Sequence, residues 1–125
     1  MVNSIKKAVA EFIGTFTLVL VGCGTAMLVG CDSQAGSGYI LTAFAFGLVI
    51  VGMAYCVGNS SGCHINPAVS LDVLLSGRMK VQEFFIYIVA QIIGAIAVLL
   101  LLSLSGASAV LRIRQAESVR TVLQA

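Results

Sequence analysis

Charged residues are absent from long stretches of this chain. No Asp, Glu, Lys or Arg occurs in residues 12–31, 33–71 or 84–111, which span 20, 39 and 28 residues. A bilayer core is about 30 Å thick and takes roughly 20 apolar helical residues to cross. Lipid offers no water to unpaired backbone groups, so these stretches favour helices. Three membrane-spanning helices are predicted at about residues 8–30, 39–57 and 84–102.

A shorter helix is predicted between the second and third spans, at about residues 66–77. Asn66 is a good N-cap residue, Pro67 is tolerated at the first helical position, and Gly77 is typical of a helix end. The segment rises at most about 18 Å at 1.5 Å per residue, too little to cross a bilayer. Such segments are often re-entrant, and the alternative is an ordinary cytoplasmic loop with a capped surface helix.

An uncharged polar segment precedes this short helix. An extended backbone, with its carbonyl oxygens in a row, is expected at Gly62, Cys63, His64 and Ile65. Irregular backbone inside a bilayer is tolerated only against protein or a water-filled cavity. The helix N-terminus adds about half a positive charge. Together with the Asn66 amide, these groups would guide neutral polar molecules and repel cations and protons.

Composition excludes several protein classes. The chain is 59% hydrophobic and 10% charged, and its mean hydropathy is +1.07. Soluble domains are about 45–50% apolar and about 25% charged. The net charge is only +2 and the basic residues form no single patch, so nucleic-acid binding is not expected. We therefore expect an all-α membrane protein rather than a soluble enzyme domain or a disordered chain.

Cysteine spacing does not suggest a metal site. The four cysteines contain no CxxC pair and form no zinc-like cluster with His64. Inside apolar runs a free thiol behaves as a small hydrophobe. We expect no disulfide scaffold and no zinc-like site. The cysteines are Cys23, Cys31, Cys56 and Cys63.

The N-terminal stretch has a second interpretation as a secretory signal, because Lys6 and Lys7 precede an apolar segment. Residues 20–23 and 28–31 even resemble bacterial lipoprotein cleavage sites. Glu11 interrupts the early apolar segment, however, and the rest of the chain is too hydrophobic for a secreted domain. These two observations favour a spanning helix.

Lys and Arg in short flanks predict the orientation of the spans. Lys6 and Lys7 place the N-terminus in the cytoplasm. Arg78 and Lys80 fall on the same side if the short helix enters and leaves from there. The third span then places residues 107–125 outside, although this atypical tail is basic. Its arginines are Arg112, Arg114 and Arg120.

Several motifs, in the right order, resemble those of the aquaporins, the major intrinsic proteins. Residues 60–70, SSGCHINPAVS, are similar to the family's first NPA signature, SGxHxNPAV. Residues 10–16, AEFIGTF, resemble its first-helix motif AEFxGTF, and residues 45–48 and 90–95 match its second and third helices. The resemblance covers about residues 5–106. It implies half of an aquaporin fold, with three transmembrane helices and one re-entrant NPA half-helix.

The resemblance also implies roles for individual residues. Asn66 donates to permeating water, while Pro67 and Ala68 shape the meeting point of two half-helices. The carbonyl groups of Gly62, Cys63 and His64 line the inner pore. Cys63 departs from the small residue that is common there.

Three further roles follow from the resemblance. Phe46 corresponds to the aromatic residue of the narrow outer filter and resembles water-selective members more than glycerol facilitators. Glu11 holds the re-entrant loop through backbone N–H groups, or alternatively pairs with Lys7 four residues earlier. Gln91 braces the bundle, or its amide is satisfied within its own helix packing.

The resemblance is limited to the first of two inverted repeats, because a second NPA motif and a filter arginine have no counterpart in the chain. The expected function is a passive water channel in the cell (inner) membrane, incomplete without a second repeat or partner. The resemblance implies no enzymatic activity, no metal and no cofactor. The expected partners are the lipid bilayer, water or small neutral solutes, and a homo-oligomer or partner repeat. The alternatives are a non-conducting fragment that associates with full-length aquaporins, and a facilitator for glycerol or another neutral solute.

Overall fold

Four helices form the described part of the chain in this computed structural model. It describes residues 2–30 and 36–106, and isolated helical positions in the tail at 112, 113, 116, 117, 119, 120 and 123; Cys31 and Arg114 lie outside the described residues. The helices are α1 (Val2–Val29), α2 (Ser37–Ser61), α3 (Pro67–Leu75) and α4 (Val81–Leu104). Helices α1, α2 and α4 are long and apolar enough to cross a membrane, and α3 is shorter. The all-α fold class is therefore confirmed.

The helix bounds differ from the predicted spans. All three long helices begin earlier than predicted, and α2 and α4 also end later. The predicted spans stopped where polar residues lower the hydropathy, but helical hydrogen bonding continues through those residues. Helix α2 ends where Gly62 takes a left-handed conformation (φ 89°) and its N–H donates to the carbonyl of Gly58 at 2.8 Å. Helix α3 is shorter than predicted, because Ser76 and Gly77 form a turn after it.

Helix α1 is the centre of the bundle and packs against both α2 and α4, while α3 packs against α4. Glycines permit these close approaches. A Cβ atom at Gly94 would lie 2.8 Å from the carbonyl oxygen of Phe12, and one at Gly22 would collide with the ring of Phe46. Small residues let membrane helices pack by direct van der Waals contact.

The beginnings of α1 and α4 lie side by side. The Lys7 ammonium nitrogen is 2.9 Å from a carboxylate oxygen of Glu83. Farther along both helices, Gly94 touches the backbone of Phe12 and Phe16. The two helices therefore run in the same direction. Large apolar side chains cover the outer faces of the bundle, as expected where lipid is the solvent.

Candidate functional site

The start of α3 lies beside α1 and α4, about half-way along the bundle. The Ile65 side chain packs against Gly14, and Asn66 and Pro67 share a groove with Thr15 of α1 and with residues 91, 92 and 95 of α4. These contacts lie near the middle of α1 and of α4. After α3, the chain returns through Gly77 to the beginning of α4. The polar segment and α3 thus enter the bundle and leave it at the same end.

The polar segment has a left-handed backbone rather than the extended one expected from sequence. The φ angles of Gly62, Cys63 and Ile65 are 89°, 53° and 42°. Positive φ is unusual for a non-glycine residue and strained for a β-branched one such as isoleucine. The sequence-based expectation was wrong here, because contacts from other helices hold this conformation. Strained backbone persists only where its surroundings over-determine it.

Hydrogen bonds to the carboxylate of Glu11 stabilise this conformation. One oxygen accepts the His64 N–H at 2.9 Å and the Ser61 hydroxyl at 2.6 Å, and the other accepts the Ile65 N–H at 2.7 Å. The Ser61 hydroxyl oxygen in turn accepts the Cys63 N–H at 3.2 Å. Glu11 is 0% exposed. The alternative partner, Lys7, pairs with Glu83 on α4 instead.

The donors of the segment therefore point into the bundle. The N–H groups of Cys63, His64 and Ile65 donate hydrogen bonds to the side chains of Ser61 and Glu11. Among the described residues, no hydrogen bond ends on the carbonyl oxygens of residues 62–65. These oxygens remain available as acceptors.

Gln91 of α4 connects Glu11 to α3. Its side-chain nitrogen donates to Glu11 at 2.8 Å and to the hydroxyl of Ser70 at 3.1 Å. The same hydroxyl lies 3.1 Å from Nδ1 of His64. Gln91 and Ser70 are both buried. These hydrogen bonds therefore connect α4 to α1 and to α3 inside the bundle.

Tyr87 closes the network on its other side. Its hydroxyl donates to the carbonyl oxygen of Ser61 at 2.7 Å, and its ring meets the His64 ring edge-on with centroids 5.1 Å apart. The last residue of α2 and the loop after it are thus attached to α4 as well as to α1.

Asn66 caps α3 with its side chain. Its Oδ1 accepts the Ala68 N–H at 2.8 Å, and Pro67 occupies the first helical position. The side-chain NH₂ group donates to no residue that the structure describes, so it is the free half of the amide. Asn66, Pro67 and Ala68 are all exposed.

Phe46 and Cys63 occupy different levels of the bundle. Phe46 lies against Gly22, which is about 12 Å farther along α1 than Gly14, at 1.5 Å per residue. Cys63 is partly buried, and desolvation together with the Glu11 charge raises the pKa of its thiol. Cys23, Cys56 and Cys63 are free thiols, and no group of His, Cys, Asp or Glu in the described residues is arranged to hold a metal.

Comparison with known proteins decides the family. The sequence matches the family described as "Major intrinsic protein" over residues 1–124. The chain belongs to this family. Curated relatives include Aquaporin Z of Rhodopseudomonas palustris, which is 47% identical over 104 residues, 83% of this chain and 43% of that protein. Aquaporin Z of Brucella melitensis is 48% identical over 93 residues, 74% of this chain and 41% of that protein. The chain spans less than half the length of these relatives.

Membership in the major intrinsic protein family agrees with the three apolar helices, and the chain is an integral membrane protein. Motif reasoning nevertheless missed three residues of the site, which are Ser61, Ser70 and Tyr87. One signal was present for Tyr87: it lies four residues before Gln91 and so shares a face of α4 with it. Ser61 also had a signal, because it is the first residue of the SGxHxNPAV signature, although no role was assigned to it. Ser70 directly follows that signature and had no comparable signal.

Proposed function

We propose that this chain forms one half of the wall of a passive water channel. The observation that carries the proposal is the arrangement of residues 62–65, whose donors are held by Ser61 and Glu11. Their carbonyl oxygens supply the acceptors of a polar path through an otherwise apolar bundle. The names of the curated relatives, Aquaporin Z, support the same function.

In this proposal Asn66 is the donor at the narrow centre of the path. Its oxygen is occupied by the Ala68 N–H, so its NH₂ group faces the permeating molecule. The N-terminal end of α3 carries about half a positive charge. A water molecule exchanges hydrogen bonds with the carbonyl oxygens and the amide, whereas a cation is repelled by the helix end. Pro67 and Ala68 meet the opposing half-helix.

The proposed pore-lining residues are Phe46, Gly62, Cys63, His64, Ile65 and Asn66, with Ile65 contributing its carbonyl group because its side chain is buried against Gly14. Phe46 narrows the outer part of the path and favours water over glycerol. Glu11 and Gln91 support the loop.

We further propose that the chain lies in a bacterial cell (inner) membrane with its N-terminus in the cytoplasm. Lys6, Lys7, Arg78 and Lys80 then lie on the cytoplasmic side, in agreement with the positive-inside rule. The start of α3 is near the bilayer midplane, since it is level with the middle of α1 and α4. No enzymatic activity and no cofactor belong to this proposal.

The second half of the pore wall comes from further protein in this proposal, as a second repeat, a second copy or a full-length aquaporin. Inverted repeats place the permeation site at their interface. A chain that associates with full-length aquaporins without conducting is the alternative.

The test is stopped-flow shrinkage of vesicles that contain the purified chain, with insertion verified by protease protection. Water permeability above that of empty vesicles is expected, and Asn66→Asp should abolish the increase by placing a negative charge at the donor position. Asn59→Asp, at an exposed residue of α2, is the matched control and should leave permeability unchanged. Permeability equal to that of empty vesicles removes conduction by the chain alone. Co-purification with a full-length aquaporin would then favour the alternative.

A further inference from the structure

Two buried polar atoms on neighbouring helices have no hydrogen-bond partner among the described residues. They are Oγ1 of Thr15 on α1 and Oε1 of Gln91 on α4. Thr15 is 5% exposed and Gln91 is 1% exposed. Buried polar groups are nearly always hydrogen-bonded to protein or to ordered water, and an unmet one is destabilising. Each of these atoms therefore needs a partner.

The orientation of the Gln91 amide is set by its other contacts. Its nitrogen donates to the Glu11 carboxylate at 2.8 Å and to the Ser70 hydroxyl at 3.1 Å. A carboxylate accepts only, so the nitrogen must face it and the oxygen must point elsewhere. The unmet group at Gln91 is thus an acceptor, and its partner must be a donor.

Both side chains line one groove of about 260 Å³ between α1 and α4, at the start of α3. Asn66 lines the same groove; its oxygen accepts the Ala68 N–H, and its amide nitrogen donates to no residue among those described. The other walls are apolar and include Val19 and Ile65. The groove thus presents one acceptor, one hydroxyl and one donor within an apolar frame.

We propose that this groove holds at least one resident water molecule that bridges Thr15 Oγ1 and Gln91 Oε1. Water offers two donors and two acceptors, and it needs about 30 Å³ in the liquid. An anion would face the Gln91 oxygen, and a cation would face the amide of Asn66, so a neutral molecule fits both. Unlike the water of the proposed conduction path, this molecule stays in place and links α1 to α4.

A second groove between α1 and α4, lined by apolar residues only, serves for comparison. It has a volume of about 510 Å³ and is lined by apolar residues that include Phe12 and Val89. This groove is open, and its apolar side chains offer a water molecule no hydrogen-bond partner to hold it in place. Volume alone therefore does not distinguish the two grooves, and the polar atoms of Thr15 and Gln91 do.

Water-to-methyl magnetisation transfer by NMR, on the full chain in lipid nanodiscs, tests the proposal. At the methyl groups of Ile65 and Ala95 we expect magnetisation transfer from water, with the sign of the cross-relaxation rate that a long-lived bound water gives. Neither side chain carries an exchangeable proton of its own. The methyl groups of Val89 should show none. Absence of transfer at both Ile65 and Ala95 would overturn the proposal.

Substitutions at Thr15 provide the second arm. Thr15→Val should abolish the transfer at Ala95 and lower the Tm, whereas Thr15→Ser should keep both. Thr17→Val is the matched control, because the Thr17 hydroxyl donates at 2.8 Å to the Ile13 carbonyl within its own helix. If the groove is dry, Thr15→Val removes an unmet hydroxyl, and the Tm should rise or equal that of the Thr17 control. That outcome would contradict the proposal. Neither arm depends on water permeability, so the result is independent of the proposed channel function.

Discussion

The carboxylate of Glu11 accepts the backbone N–H of Ile65 at 2.7 Å, although 54 positions separate the two residues in the chain. The contact joins the first helix to the residue just before the Asn66 cap of α3. Ile65 has φ 42°, which its β-branched side chain disfavours. A buried charge on one helix thus holds a strained turn beside the proposed permeation path.

Glu11→Gln is expected to destabilise the chain by about 2–3 kcal/mol. An amide offers one acceptor atom where the carboxylate offers two, so one of the buried N–H groups loses its partner, and hydrogen bonds to charged groups contribute about 1.5–3 kcal/mol each. Denaturant titration in detergent micelles would measure the loss. Glu83→Gln is the matched control and should cost less than about 1 kcal/mol, since its ion pair with Lys7 is partly exposed. Equal losses for the two variants would contradict the role assigned to Glu11.

Tyr87→Phe should reduce stability by about 1–2 kcal/mol. The variant leaves the buried carbonyl oxygen of Ser61 without its 2.7 Å donor while the ring packing is kept. Tyr55→Phe is the control, because Tyr55 is 86% exposed. Thermal unfolding of both variants checks the prediction, which fails if the two melt at the same temperature.

Gly94→Ala should loosen the contact between α1 and α4 and cost about 1–3 kcal/mol. The added Cβ would lie 2.8 Å from the Phe12 carbonyl oxygen, which belongs to helix backbone and cannot move alone. At Gly47 a Cβ would meet nothing within 4 Å, so Gly47→Ala should be neutral or stabilise α2 by up to about 1 kcal/mol. A Gly94→Ala variant as stable as Gly47→Ala would show that the helices are not in close contact there.

Cys63 should react slowly with thiol reagents at neutral pH. Its raised pKa lowers the fraction of reactive thiolate, so the rate should keep rising as the pH increases from 7 to 9 and stay below that of a small cysteine peptide. The measurement is the modification rate as a function of pH, and Cys63→Ser identifies the contribution of the other cysteines. A rate that is already independent of pH at 8 would mean that the thiol is ionised and the prediction wrong.

How much of the site was predictable depends on the range of each interaction. The residue types of Asn66 and Pro67 alone predict a helix N-terminus, and α3 begins there. The motif around Glu11 left two partners open, Lys7 and the loop. Which partner Glu11 has depends on Glu83, which lies 76 positions beyond Lys7 and forms the ion pair with the Lys7 ammonium group. No local pattern contains that information.

The sequence by itself determined the number and kind of helices. Charge-free runs longer than a bilayer requires must be helical in lipid, because every backbone group has to be paired within its own segment. Tertiary structure alone decided the left-handed backbone of Cys63 and Ile65 and the attachment of Ser61 to Tyr87. It also decided that one oxygen each of Thr15 and Gln91 has no hydrogen-bond partner within the described part of the chain. These features arise where groups from distant parts of the chain compete for the same hydrogen bonds, and that competition exists only once the helices are packed.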